Sequence, residues 1–177
     1  WLDNHYFGSV FSLEKQASAW SLTLGGAASH YLGQHYGEVI WARFASSSEQ
    51  GYRYYDADAD KTDMNVYAKM DFSLGAGLDA YVDLQLRHVD YSLEALDNSR
   101  TDNYRYTFFN PKAGLSWQAG PRSRLYTSFA VAQREPGRFD FLYADPERTP
   151  QPETLYDLEP GWRRSWAGAQ LNVNAYY

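Results

Sequence analysis

Asp56, Asp58 and Asp60 stand at alternate positions, and alternate carboxylates are how a calcium-binding loop begins. Such a loop also needs glycine at its sixth position and glutamate at its twelfth. Those positions hold Lys61 and Tyr67. The triplet therefore reads as a solvated acidic loop tip, with a weak external divalent-ion site as the alternative. The four histidines, His5, His30, His35 and His88, show no metal-ligand spacing. There is no cysteine, no nucleophile elbow, no phosphate loop and no zinc motif. No catalytic residue, resident metal or cofactor is expected, and the chain does not read as an enzyme.

Two sets of residues have types suited to binding. Tyr31, His35, Tyr36 and Trp41, with Tyr52, Arg53, Tyr54 and Tyr55, fall in a stretch expected to be a long connection. Aromatic and arginine side chains on a loop suit a chelate or sugar ligand; anchoring at an interface is the competing use. The second set is Lys69, Asp71, Asp79, Asp83, Arg87, Lys112, Glu159 and Arg163, all on the polar side of alternating segments. Such charges must be hydrated or paired, so they line a wet interior, contact a domain inside it, or form ion pairs along the wall. Arg134-Glu135-Pro136 is read as a loop-shaping ion pair followed by a strand-ending proline.

Strict alternation predicts the elements that carry these residues. From Leu78 to His88, Leu78, Ala80, Val82, Leu84 and Leu86 oppose Asp79, Tyr81, Asp83, Gln85 and Arg87. Thr62–Phe72, Pro111–Gln118, Arg124–Ala132 and the stretch from Leu171 onward alternate similarly. Tyr6–Lys15, Trp20–His30 and Tyr156–Arg163 are weaker, and Pro160 and Gly161 are expected to interrupt the last. Short connections (16–19, 73–77, 119–123, 164–168) alternate with long ones (31–61, 94–106, 133–153). Short turns at one end and long loops at the other mark an outer-membrane barrel. Trp20, Trp117 and Trp162 each sit beside a short turn, where an aromatic girdle would lie. The expectation is an all-β chain: an antiparallel up-and-down meander of about eight strands, part of a larger transmembrane β-barrel. Val66, Ala68, Val82, Leu84, Leu115 and Phe129 should face lipid.

Composition agrees. The 177 residues carry 16 Lys+Arg against 22 Asp+Glu, a net charge of -6, which argues against nucleic acid as a partner. Aromatics make up 18%, enough for belts at two membrane interfaces. Mean hydropathy is -0.61, as a wall with only alternate residues in lipid allows.

Particular runs carry a family resemblance. FFNPKAGLSW (108–117) is followed by SRLYTSFAVAQREP (123–136), TPQPETLYDLEPGW (149–162) and LNVNAYY (171–177); HYGEVIWAR (35–43) and YYDADADKTDMNVYAKMDF (54–72) precede them. In order and spacing these resemble the barrel of TonB-dependent outer-membrane receptors, especially those of Bacteroidetes type. The resemblance covers nearly the whole chain. It implies the outer membrane of a Gram-negative bacterium and uptake of a scarce nutrient such as an iron chelate. The implied partners are outer-membrane lipid, a plug domain filling the lumen, the TonB complex acting through an N-terminal part, and a small nutrient ligand. Residues 1–177 would be one partial barrel segment, without the plug domain and the terminal strands. A complete eight-stranded barrel of structural or adhesive role is the alternative, and pairing of the first strand with the last would mark it.

Overall fold

The computed structural model describes residues 1–44, 49–94, 101–142, 145 and 148–177. Eight strands follow one another: β1 Leu2–Gln16, β2 Trp20–Glu38, β3 Arg53–Gly75, β4 Leu78–Glu94, β5 Thr101–Gly120, β6 Ser123–Arg134, β7 Glu153–Trp166 and β8 Ala169–Asn174. Among the described residues one short helix, α1 (Arg138–Leu142), lies between β6 and β7. The strands form one sheet in sequence order, each antiparallel to the next. β1 and β8 are the two edges, so the meander is an open sheet and the first strand does not close on the last. Past Asn174 the ladder continues through Ala175 and Tyr177, whose amides donate to the Pro160 and Leu158 carbonyls at 3.0 and 3.1 Å.

Tight turns join β1–β2, β3–β4, β5–β6 and β7–β8. Gly75, Ala76 and Gly77 have φ of 83, 51 and 75°, and Gly168 has φ of 84°, left-handed values that let a strand reverse within a few residues. The strands outrun the expected segments at the other end. β2 runs to Glu38 and β3 starts at Arg53, so the expected connection 31–61 shrinks to 39–52. Tyr31, His35, Tyr36, Arg53, Tyr54 and Tyr55 are therefore strand residues, and of that set Trp41 and Tyr52 remain in the connection. Asp56, Asp58 and Asp60 lie on β3 and not on a loop tip. The long connections include residues outside the described ones, 45–48, 95–100, 143–144 and 146–147. Pro160 and Gly161 do not interrupt β7: its register with β6 is unbroken from Ser123↔Arg164 to Arg134↔Glu153. Residue 160 faces the β8 edge, so its missing N–H leaves the β6–β7 ladder intact.

Register sorts the side chains into two faces. We call the face over which α1 folds the inner face. On the outer face Ala68, Leu84 and Pro111 align across β3, β4 and β5, as do Met70, Val82 and Ala113. Leu84 is 44% exposed and Val66 55%, so among the described residues nothing covers this face. Trp20, Trp117 and Trp162 stand on it at the tight-turn end, paired with Phe72, Leu78 and Leu125.

Farther along the strands the two faces exchange polarity. On β4 the outer series is Leu78, Ala80, Val82, Leu84, Leu86 and then His88, Asp90, Ser92, Glu94. The inner series is Asp79, Tyr81, Asp83, Gln85, Arg87 and then Val89, Tyr91, Leu93. β3 changes between Thr62 and Met64, and β5 between Thr107 and Phe109. His30 Nδ1 meets Thr62 Oγ1 at 2.9 Å and His88 Nδ1 meets Thr107 Oγ1 at 2.8 Å, a polar row along the upper limit of the apolar band. From Leu78 to Leu86 the band is about 20 Å tall, taking ~3.3 Å per residue and a tilt of ~40°, close to the lipid-facing band of a barrel. Above it the sheet behaves as in water. Ala59, Val89, Tyr91, Leu93 and Phe108 are buried on the inner face with Phe141 of α1.

Inside the band, inner-face tyrosines lie flat across glycines on the neighbouring strand: Tyr67 over Gly25, Tyr81 over Gly114 and Tyr126 over Gly161. This pairing keeps rings against the wall and out of the interior. A Cβ at Gly25 meets the far end of the Tyr67 ring, which can swing away. A Cβ at Gly26, on the outer face, meets the Asn65 backbone carbonyl at 2.6 Å and Phe11 at 2.9 Å, and the backbone cannot swing. We therefore expect Gly26→Ala to destabilise the folded protein by about 1–3 kcal/mol, more than Gly25→Ala does. Urea titration in lipid vesicles reads the difference, and equal midpoints would contradict this packing.

Candidate functional site

The densest polar cluster lies on the inner face just above the band, where α1 and the segment before it fold over β3 and β4. β6 stops at Arg134 before Pro136, and Glu135 turns inward. Its carboxylate accepts from Lys61 Nζ and, at 2.9 Å, from Arg87 Nη1. Arg87 Nε also donates to Asp63 Oδ2 at 3.0 Å. Glu135 is 9% exposed, Arg87 and Asp63 21% each and Lys61 30%, so this is a half-dry network joining β3, β4 and the start of the 135–152 connection. Burial by itself raises the Glu135 pKa. Hydrogen bonds from Lys61, its own backbone and Arg87 outweigh that, and the group sits below its ordinary value of 4.5.

Phe141 anchors the same segment. Its ring stacks on Tyr104 at 3.9 Å between centroids and meets Tyr91 edge-on at 6.2 Å. A cavity of about 460 Å³ remains between the segment and the sheet, walled by Tyr31, Lys61, Arg87, Tyr91, Glu135 and Arg138 among others.

Of the expected binding residues, Tyr31 lines this cavity and donates through its hydroxyl to Asn4 Oδ1 at 2.8 Å. His35 lies four residues farther up the inner face of β2; burial first, and the charge of Arg138 second, lower its pKa. Tyr36 carries the Arg53 guanidinium 3.7 Å from its ring centre. Arg53 is held by Glu38 at 3.2 Å and Asp56 at 2.7 Å, next to a register shift at Gly37/Glu38. Tyr54 and Tyr55 meet edge to face at 5.2 Å. Trp41 and Tyr52 are exposed, away from the cavity. The expected loop cluster is thus dispersed, and the cavity keeps Tyr31.

The eight charged residues expected on one polar side all lie on the inner face. Lys69, Asp83 and Lys112 form one cross-strand row that ends in Asp157, and Lys69 also reaches Asp71 at 3.1 Å. Asp71 and Glu159 border a groove near the tight turns with Asp79. Glu159 accepts from Asn174 at 2.8 Å, and Arg163 donates to Asn172 at 2.8 Å. Arg87 alone of the eight joins the upper network. Lys61, Asp63, Tyr91, Glu135 and Arg138 were not singled out as site residues, and the expected Arg134–Glu135 ion pair is not formed. Arg134 pairs with Glu153 at 2.8 Å instead. The missed signal is the exchange of polarity after Arg87, which places Tyr91 inward.

Asp56, Asp58 and Asp60 do not converge. Asp56 pairs with Arg53, the Asp58 amide donates to Glu94 at 3.0 Å, and Asp60 stands 3.6 Å from His30. Among the described residues no group of three or more His, Cys, Asp or Glu could hold a metal ion.

An open antiparallel meander with an apolar outer band, aromatic residues at the tight-turn end and a charged inner face is the wall of a transmembrane β-barrel. The sequence matches the family described as "TonB dependent receptor-like, beta-barrel" over residues 2–177, and the chain belongs to it. The fold is also that of solved TonB-type transporters. The copper transporter OprC superposes with a TM-score of 0.79 at 13% identity, over 99% of this chain and 30% of that one. The ferric-catecholate import receptor Fiu of E. coli K12 gives 0.72 at 15%, over 99% and 31%. The ferric citrate transporter FecA gives 0.66 at 11%, over 92% and 25%. The chain therefore spans about a third or less of the length of these proteins. No curated protein sequence matches it.

Proposed function

We propose that this chain is a wall segment of an outer-membrane receptor that binds a scarce nutrient, an iron chelate or similar, and imports it with energy coupled through TonB. The observation that carries the reading is the height-limited apolar band on an open sheet of this family, with charge on the opposite face. In this reading the outer face contacts outer-membrane lipid. Lys69, Asp71, Asp79, Asp83, Arg87, Lys112, Glu159 and Arg163 face the lumen and a plug domain of the same protein. Tyr31, His35, Tyr36, Trp41, Tyr52, Arg53, Tyr54 and Tyr55 stand toward the cell exterior, where ligand first binds. The tyrosines lying flat over glycines support it, because they leave the interior wide. The cargoes of these structural neighbours, copper, ferric catecholate and ferric citrate, are all scarce metals or their chelates, which supports the same class here.

The test uses the complete receptor in its own cells under iron limitation. Deleting the gene should lower uptake of the radiolabelled iron chelate supplied, and loss of TonB should lower it equally. Uptake that persists without TonB, or growth indifferent to the receptor across metal-limited media, would refute the importer reading.

A further inference from the structure

Carboxylates and cations separate at the tight-turn end of the sheet. Asp71, Asp79 and Glu159 all lie on the inner face there. On the outer face, among the described residues, no Asp or Glu stands between the row of Trp20, Trp117 and Trp162 and the turns. The cations at that rim are Lys15 and Arg164 on the face and Arg122 in a turn, all exposed. Arg164 follows Trp162 on the same side of β7, ~5 Å nearer the turn at ~3.3 Å per residue and a tilt of ~40°. Its guanidinium lies 5.5 Å from the ring centre of Trp166, the next residue on that face. Ser123 is its partner across the ladder and accepts from Trp162 Nε1 at 2.8 Å. Arg122 stands in the β5–β6 turn, where its carbonyl accepts from the Ser165 amide at 2.9 Å. Two arginines thus stand side by side where no carboxylate neutralises them. Lys15 repeats the cation-on-tryptophan arrangement on β1, with Nζ 6.0 Å from the Trp20 ring centre.

Tryptophans at this level mark the boundary between acyl chains and headgroups, and the lipid phosphates lie just beyond it. A guanidinium stacked by its face on an indole keeps its N–H edge free. That edge matches a phosphate in two parallel hydrogen bonds. We propose that Arg164, with Arg122 and the Ser123 hydroxyl beside it, docks the phosphate of an anionic glycerophospholipid in the periplasmic leaflet. The tight turns of such a barrel face the periplasm. Charge selects the anionic headgroup: the ammonium of phosphatidylethanolamine would meet two guanidiniums and no carboxylate. The external end of the same face has the opposite character. Asp60 and Asp90 stand there just above the apolar band, and Arg105 is already paired with Asp90 at 2.6 Å. The outer face is therefore polarised, with free cations toward one leaflet and carboxylates toward the other. The proposal rests on the membrane-wall part of the importer reading and not on its cargo.

The experiment places a fluorophore at the site, on Ala167→Cys in the β7–β8 turn of the complete receptor, reconstituted in phosphatidylcholine vesicles. Phosphatidylglycerol or phosphatidylethanolamine carrying a nitroxide high on its acyl chain is added as a minor component. Quenching reports how far each lipid is enriched beside residue 167 over the bulk. Phosphatidylglycerol should be enriched about fivefold or more, and phosphatidylethanolamine should not be enriched. Arg164→Gln should lower the phosphatidylglycerol enrichment about fivefold, and adding Arg122→Gln should abolish what is left. Arg164→Lys, which keeps the charge and loses the fork, should fall between. Arg124→Gln removes an equal charge from the inner face at the same strand end, where Arg124 donates to Gln118 Oε1 at 3.2 Å, and should change the enrichment less than about twofold. Equal quenching by the two lipids overturns the proposal, as does Arg164→Gln behaving like the unaltered site or Arg124→Gln losing as much as Arg164→Gln. Loss of the enrichment on adding millimolar inorganic phosphate would assign the site to a soluble anion and overturn it too. If Arg164→Gln loses the heat-modifiable band of a folded barrel, Arg164→Lys carries the comparison. Lipid is read here without cargo or TonB, so a negative result leaves the importer reading standing, and failed TonB-dependent uptake leaves the lipid site standing.

Discussion

Leu84→Arg should cost the folded receptor about 2–4 kcal/mol, while Gln85→Arg one position along should cost ~1 kcal/mol or less. Leu84 is on the outer face, level with Ala68 and Pro111 and near the middle of a band that runs from Leu78 to Leu86 on its strand. A guanidinium there has only lipid around it. Its stem is long, but from mid-band it reaches neither the His30–Thr62 and His88–Thr107 row above nor the turns below without distorting the wall. Gln85 points to the inner face, where its amide oxygen accepts from Asn110 at 3.2 Å and polar neighbours already stand. A charge on that side costs a hydrogen bond and is otherwise solvated. Urea-induced unfolding of the complete receptor from lipid vesicles measures both variants. Equal penalties would mean that the faces have been assigned wrongly, and a larger penalty at Gln85 would reverse them.

Glu135→Ala should release the segment that leads into α1. The substitution leaves Lys61 and Arg87 facing each other without the carboxylate between them. Removing one member of a fully buried pair costs about 3–5 kcal/mol; with Lys61 30% exposed and Arg87 also held by Asp63, roughly 2 kcal/mol is expected here. If that penalty falls on the closed position of the segment, amide exchange across 138–142 should rise roughly thirtyfold. The pH dependence has a definite sign. The folded pKa of Glu135 lies below its ordinary 4.5, so the carboxylate's contribution is complete above 4.5 and is lost as pH falls through the folded value. Relative to the intrinsic rate at each pH, wild-type exchange should therefore rise on acidification below 4.5, and Glu135→Ala should show no such step. Unchanged exchange in the variant at neutral pH would show that Phe141 holds the segment alone.

Much of the wall is legible in the residues because strand geometry has a period of two. Leu78 to Arg87 and Met64 to Phe72 separate apolar from polar side chains by position alone, and lipid admits only one of the two sets. Two of the tight turns are equally local: Gly75 and Gly77 mark the β3–β4 turn, and Gly168 the β7–β8 turn, by the left-handed backbone that glycine tolerates. The eight inner-face charges follow from the same alternation.

The strand ends did not follow from it, because an alternating pattern is read against one solvent. β2, β3, β4 and β5 leave the membrane partway along, and beyond that point water lies outside and the packed segment lies inside. His88, Asp90 and Ser92 then replace Leu84 and Leu86 on the outer face, while Val89, Tyr91 and Leu93 turn inward. A search for one continuous apolar side ends at the exchange, and the rest of the strand looks like loop. The upper cluster was beyond reach for a different reason. Lys61 and Glu135 are 74 positions apart, and Arg87 and Glu135 are 48 apart. No local pattern pairs Glu135 with those cations in preference to its neighbour Arg134. Only the folding of α1 over the inner face, driven by burial of Phe141 against Tyr91, Tyr104 and Phe108, brings them together.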